Sequence, residues 1–236
     1  MKSTLPAEFI ESLGHALPQT EVIELLSAID EPPKVSIRLN RAKNISEALF
    51  QEDVLMDKIH HCNDGFVLKQ RPLFTADPAF HAGAYYVQEA SSMFIEHVLN
   101  SLAVPKGIFL DLSAAPGGKS TLLSSYLGDN GLLVANEVIQ SRAQLLKENL
   151  IKWGLGNAVV TNNDPDHFEP LEGFFGLVLV DAPCSGEGMF RKDPQARDEW
   201  SPDNVQLCSA RQKRIMDKAG ALVKGGGYLV YSTCTF

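Results

Sequence analysis

From residue 108 onward the hydrophobic positions switch between two periods. Short, almost continuous apolar runs occur at 108–112, 131–136, 158–161, 177–180 and 228–231, the length and character of strands covered on both faces. The stretches 119–127, 140–153 and 202–223 instead repeat their apolar residues at helical spacing,. Strands and helices alternating at these lengths predict an α/β fold built on an open, doubly wound, mostly parallel sheet. Ligands of such folds bind beyond the carboxyl ends of the strands, where Asp111, Glu137, Asp164, Asp181 and Cys234 all fall,.

The pattern upstream is different. Two short helices are expected around 7–13 and 19–28, the second with Val22, Leu25, Leu26 and Ile29 on one face, punctuated by Pro18, Pro32 and Pro33,. In KVSIRLNRAK, residues 34–43, Val35, Ile37 and Leu39 alternate with Ser36, Arg38 and Asn40, as in a half-buried strand,. The segment carries Lys34, Arg38, Arg41 and Lys43 without an acid, which fits either a solvated strand face or a contact to nucleic acid. An amphipathic helix is expected over 45–55, a strand pair over 65–74, and a helix over 88–102 with Ala90, Met93, Phe94, Val98 and Leu102 on one face,. Residues 1–80 therefore read as a small α+β domain and 81–236 as the larger α/β domain.

Composition narrows the partners. The 236 residues are 44% hydrophobic and 21% charged, ordinary for a globular chain,. No apolar run nears the ~20 residues of a membrane span, and residues 1–20 lack the pattern of a signal peptide,, so a cytosolic protein is the expectation. A net charge of −8 argues against holding nucleic acid by bulk positive charge and leaves that task to local basic patches,. The four cysteines, Cys62, Cys184, Cys208 and Cys234, form no C-x-x-C and share no metal-ligand spacing with the six histidines, so no metal is expected.

The stretch IFLDLSAAPGGKSTLL, residues 108–123, reads as strand, small-residue turn and helix start, a geometry that lets backbone approach a ligand closely. GGKST supplies the second half of a phosphate-binding loop, and LVLVD, residues 177–181, imitates the strand and acid that hold magnesium in such proteins,. Against that, Ser113 stands where the first glycine belongs and Pro116 removes an N–H from the cradle,. The other reading is an acid-x-small-x-small-x-Gly turn, Asp111, Ser113, Ala115 and Gly117, suited to S-adenosylmethionine, which has no phosphate. Glu137, ending the next strand, sits where an acid takes the ribose hydroxyls of a nucleoside,.

Two cysteines stand immediately past strands on this edge, in VDAPCSG (180–186) and YSTCT (231–235). Together, LDLSAAPGGKST, NEVIQSRAQLLKEN, VLVDAPCSGEGMFRKDP and YSTCTF resemble the successive motifs of the Sun-type RNA (cytosine-5) methyltransferases. GEGMFRKDP is most similar to their bacterial branch acting on small-subunit (16S) ribosomal RNA; KVSIRLNRAK and YYVQEASSM resemble the family's N-terminal region less specifically.

The resemblance implies a class I, Rossmann-like methyltransferase that uses S-adenosylmethionine to methylate carbon 5 of a cytosine in RNA through a covalent cysteine adduct at carbon 6. It implies Cys234 as nucleophile, Asp181 as the group bonding the base, Cys184 as the helper in proton removal and release, and Lys119 as a contact to base or phosphate. For the cofactor it implies Ser113, Ala114, Ala115, Pro116, Gly117, Gly118 and Lys119 around the methionine end, Glu137 at the ribose, Asp164 at the adenine edge and Asp181 between cofactor and base. Arg191 and Lys192 are the first candidates for RNA phosphates, with Arg38 of KVSIRLNRAK the second choice,. The chain stops at Phe236, just past the fifth strand, where the fold expected from the motifs continues, so a longer protein, or an inactive fragment that still binds RNA, is a further expectation.

Overall fold

The computed structural model describes residues 4–45, 50 and 54–235. In chain order its elements are helices α1 (Ala7–Ala16) and α2 (Gln19–Ile29), strands β1 (Val35–Leu39), β2 (Leu55–Lys58) and β3 (Gly65–Leu68), helix α3 (Pro78–His81), strand β4 (Tyr85–Val87), then α4 (Phe94–Ser101), β5 (Ile108–Asp111), α5 (Gly118–Leu127), β6 (Leu132–Asn136), α6 (Gln140–Trp153), β7 (Ala158–Thr161), β8 (Phe175–Asp181), α7 (Pro194–Glu199), α8 (Pro202–Leu222) and β9 (Val223–Ser232).

Five of the strands form one sheet in the order β7-β6-β5-β8-β9. β5 lies at its centre, parallel to β6 (Phe109 opposite Leu133) and to β8 (Phe109 opposite Leu177). The apolar runs explain this placement: Phe109, Leu110, Leu133, Leu177, Val178, Leu179 and Val180 are all buried, and only a strand covered on both faces can hide consecutive apolar residues. Truncating one of them to alanine would cost about 2–5 kcal/mol. β5, α5, β6, α6 and β7 follow in the expected order and nearly at the expected bounds.

The other sheet has four strands in the order β2-β3-β1-β4, with β1 antiparallel to both β3 and β4. Ile37, Leu39, Phe66, Leu68, Phe74, Ala84 and Tyr85 fill one of its faces. The half-buried expectation for β1 is corrected here, because Ser36, Arg38 and Asn40 are buried as well. Asn40 Nδ2 donates to Gly83 O and to Trp153 O at 2.9 and 2.7 Å, so its buried amide nitrogen is paired.

Two other expectations shift. The expected strand pair over 65–74 is one strand, β3, whose partner β2 precedes it. The expected helix over 88–102 begins as a short 3-10 turn, Ser91–Met93, before α4, and its buried residues are Met93, Ile95 and Leu99, with Phe94 and Leu102 exposed. The expected helix over 45–55 lies almost wholly outside the described residues.

The chain divides into two compact units. One contains Lys34–Asp181 and Lys218–Val230, so the antiparallel strands and the parallel sheet belong to the same unit. The other gathers the described residues up to Pro33, Ala182–Asp217 and the end of the chain from Tyr231. Its core joins Phe9, Leu13, Val22 and Ile29 of α1 and α2 to Phe190 and Trp200, with Phe9 edge-on to both aromatic rings at 5.0 and 5.6 Å,.

Candidate active site

The larger unit builds the small-residue turn between β5 and α5. Leu112 N donates to Leu179 O at 2.9 Å and Ala114 N to Asn136 O at 2.8 Å, so the turn is laced to both neighbouring strands. The Ala115–Pro116 bond is cis, and Gly117 has φ +114°, a conformation that favours glycine. A Cβ on Gly117 would also come within 3.3 Å of Leu146 Cδ1. From outside, Arg142 donates to Ala115 O at 2.9 Å, while Asn149 Nδ2 and Tyr86 Oη donate to Pro116 O at 2.8 and 3.2 Å. The turn is held rigid by carbonyl contacts, which leaves the N–H groups of the first turn of α5 without helix partners.

A phosphate loop would aim Lys119 and Ser120 at its ligand. Here Ser120 is fully buried and its hydroxyl donates to Asp111 Oδ2 at 2.6 Å, and Lys119 Nζ pairs with Asp181 Oδ2 at 2.6 Å. Both P-loop groups are thus engaged with carboxylates of the unit itself. Asp111 is completely buried, and its Oδ1 receives no well-formed hydrogen bond. Burial pushes its carboxyl up to about 7, with Asp181 adding to the rise and Ser120 and Lys119 opposing it,.

Glu137, at the end of β6, is 3% exposed. Its Oε1 accepts from Ile139 N at 3.0 Å and its Oε2 lies 3.7 Å from Arg142 Nη1, so one carboxylate oxygen is fixed by the chain. Asp164 caps the 3-10 turn Pro165–Leu171 by accepting from Asp166 N at 3.1 Å, as a short acid before proline does, and lies past the end of β7. Asn162, between the two acids, anchors the loop after β6 by donating to Glu137 O at 2.6 Å.

The smaller unit holds the two strand-end cysteines. Cys184 Sγ and Cys234 Sγ lie 2.7 Å apart, both as free thiols. Gly188 N donates to Cys234 O at 2.8 Å, and a Cβ on Gly188 would stand 2.7 Å from Cys234 Cβ, so only glycine permits this approach,. Glu187, beside it, is 5% exposed and accepts from Ser185 Oγ at 2.7 Å and Trp200 Nε1 at 2.8 Å, locking the SGEG turn. The hydrogen bond from Cys234 draws the Cys184 thiol down to about 6; N–H groups of Gly186 and Cys234 help, while burial and Glu187 oppose. A thiol pair that shares a proton in this way carries a thiolate at neutral pH.

Among the basic candidates, Arg38 is corrected. It is 3% exposed, its Nε donates to Gln88 Oε1 at 3.0 Å, its Nη2 donates to Thr121 Oγ1 at 2.6 Å, and its guanidinium lies 4.6 Å from the centre of the Trp153 ring. Strand alternation gave no sign that a second layer covers this face. Arg191 and Lys192 are exposed. The sequence reading missed three side chains that shape the sites, Ser120, Glu187 and Gln88; only their presence inside GGKST, SGEG and YYVQE could have drawn attention to them. Among the described residues no cluster of three or more metal-ligating side chains occurs, and no helix is long and apolar enough to cross a membrane.

Comparison with known proteins bears on both sets of features. Residues 100–236 match the family model described as 16S rRNA methyltransferase RsmB/F, and residues 5–90 match that of the N-terminal domain of 16S rRNA methyltransferase RsmF. Ribosomal RNA small subunit methyltransferase F of Vibrio cholerae is 37% identical over 98% of this chain and 51% of its own length. The chain thus spans about half the length of the curated relatives it matches. Among solved structures, that of PH0851 is 28% identical with a TM-score of 0.86, covering 98% of this chain and 53% of that one. A methyltransferase homolog from Pyrococcus horikoshii is 29% identical with a TM-score of 0.75, covering 91% and 68%. With its matched region taking in the turn, the strand-end acids and both cysteines, the chain belongs to the 16S rRNA methyltransferase RsmB/F family.

Proposed function

We propose that this chain carries the catalytic machinery for transfer of a methyl group from S-adenosylmethionine to carbon 5 of a cytosine in RNA, with small-subunit (16S) ribosomal RNA the substrate. The observation that carries the reading is the Cys184–Cys234 contact at 2.7 Å, because a structural cysteine has no need of a thiol partner or of a lowered pKa. Family membership and the relatives named as small-subunit methyltransferases support the choice of reaction and RNA.

The residues fit the cofactor's chemistry. Glu137 offers a carboxylate oxygen to a ribose diol, Asp111 a buried oxygen without a well-formed hydrogen bond, and the first turn of α5 its N–H groups,. When bound, S-adenosylmethionine supplies an electrophilic methyl group. Ser113 to Gly118 surround its methionine end in this reading, Glu137 its ribose and Asp164 its adenine edge.

Carbon 5 of cytosine is a poor nucleophile until a thiolate adds to carbon 6. Cys234 forms that bond, its proton passing to Cys184 along the contact, and the displaced ring electrons accumulate toward carbon 5. Asp181, kept in place by Lys119, hydrogen-bonds the amino edge of the base as charge redistributes,. Cys184, having passed its proton to solvent, takes the carbon 5 proton after methylation, and the electrons of that C–H bond expel Cys234. The base must be unstacked to be reached on its ring atoms, so a single-stranded or flipped cytosine is the substrate. Arg191 and Lys192 take RNA phosphates in this proposal.

The test is methyl incorporation from labelled donor into small-subunit ribosomal RNA, alongside calorimetric titration with S-adenosylmethionine and with magnesium ATP. Donor binding with incorporation supports the reading. Donor binding without incorporation by this chain, when a longer protein containing it is active, makes it a binding fragment; response to ATP alone contradicts the reading.

A further inference from the structure

Gln88 follows β4 and sits in the larger unit with the turn and α5. It is 7% exposed, and its Nε2 has no hydrogen-bond partner. Leaving a buried amide N–H₂ unpaired costs stability, so its orientation calls for a cause.

That cause is Arg38. The Arg38 Nε–H donates to Gln88 Oε1, and Arg38 itself is fixed by Thr121 Oγ1, Gly118 O and the Trp153 ring. Rotating the amide by half a turn would set an N–H₂ against an N–H, two donors facing each other. The oxygen must therefore face Arg38 and the nitrogen the other way. The backbone of Gln88 is equally fixed, since its N–H donates to Ser36 O at 3.1 Å and its carbonyl accepts from Ser36 Oγ at 2.5 Å. What the nitrogen faces is Gly118, the first residue of α5; a Cβ there would lie 3.4 Å from Gln88 Nε2. No side chain caps that helix end, and its unpaired N–H groups and dipole favour an anion. Pro116 contributes no N–H to the turn, so a donor from outside it would add to those of the helix end.

We propose that Gln88 is a binding residue of the cofactor site, its Nε2 donating to the carboxylate of the methyl donor's amino-acid end beside the N-terminus of α5, with Arg38 as the positioning residue that aims it. This rests on the methyl-donor reading above. A phosphate of the RNA offers the same oxyanion chemistry and is separated from the carboxylate in the test.

The discriminating variant is Gln88→Glu. It keeps an acceptor for Arg38 and so preserves the internal pairing, but puts a carboxylate where the donor was. Wild type and variant are titrated calorimetrically with S-adenosylhomocysteine and with 5′-methylthioadenosine, which lacks the amino-acid end. The expected result is a loss of about tenfold or more in affinity for the first, the scale of a hydrogen bond to a charged group, with the second changed by less than about twofold. Equal weakening of both ligands, or of neither, overturns the assignment. Unchanged S-adenosylhomocysteine affinity with weakened binding of a ribosomal RNA fragment makes the oxyanion an RNA phosphate and overturns it too. If wild type binds neither small ligand, the methyl-donor reading fails, and this assignment falls with it.

Discussion

Cys62 and Cys184 are the same residue type in opposite circumstances. Cys62 is buried in the larger unit beside Ile59 and Met93, and its thiol donates to Glu96 Oε2 at 3.0 Å. Burial, then the Glu96 contact, push it up to about 12. Cys184, in the smaller unit, has another thiol as its neighbour and N–H groups around it, and is drawn down to about 6. Burial opposes the thiolate at both; what differs is whether the nearest partner donates a proton or repels a charge. A carboxylate neighbour makes an inert core cysteine, and a thiol neighbour makes a reactive one.

The sharpest way to break that comparison is competition for an alkylating agent. At pH 7 a thiol of pKa about 6 is roughly 90% thiolate, whereas one of pKa about 12 is ionised about once in 10⁵. Even after the lower intrinsic nucleophilicity of the weaker base is allowed for, iodoacetamide should label the Cys184–Cys234 pair at least about 10²-fold faster than Cys62, read by peptide mass spectrometry. Comparable labelling of Cys62 in the folded chain would remove the distinction. The rate for the pair should fall as the pH drops through 6.

The same contrast, burial against partner, operates on Asp111, where burial outweighs the donors present, the Ser120 hydroxyl and the Ser113 N–H. Its pKa rises from 3.8 to about 7, so the folded protein resists ionising it. Stability carried by the protonated form is whole below the unfolded value and is lost as pH climbs from about 4 to 7, then stays level. Asp111→Asn should remove that slope. The variant's stability relative to wild type should rise by on the order of 2–4 kcal/mol between pH 4 and pH 8, measured by denaturant unfolding. A pH-independent difference would mean that the carboxyl is relieved by a partner.

How far these differences could be seen in the sequence depends on the layer that covers each residue. The parallel sheet was legible because strands covered on both faces must be continuously apolar, and Phe109, Leu110, Leu177 and Val178 obey that,. The cysteine pair was legible as two loops following two strands, though not as a contact between sulfurs. β1 misled because alternation reports a chemical difference between two faces, and a face can be polar and still buried when its partners are polar too. Arg38 meets Gln88 and Thr121, 50 and 83 residues away, and no local period encodes such a match. The two compact units are woven from three and two chain segments, an arrangement that no local period encodes.

Arg191 and Lys192 sharpen the other half of that lesson, since they stand exposed where Arg38 does not. Changing both to alanine should reduce the slope of log binding constant against log salt by about 1.4 for single-stranded RNA and leave cofactor affinity alone. The same double change should leave the slope untouched if the phosphates are held elsewhere.

The division of labour within the thiol pair is read out by trapping of the covalent adduct. Protein, ribosomal RNA and S-adenosylmethionine are mixed, denatured and run on a gel that separates free protein from protein bonded to RNA. Cys184→Ala, slowed in attack by loss of the proton acceptor but unable to release the base, should accumulate the slow band in a donor-dependent way, while Cys234→Ala should give neither band nor product. A band with Cys234→Ala and none with Cys184→Ala would reverse the two roles, and no band from either variant, in protein shown to bind RNA and cofactor, would contradict covalent catalysis by this pair.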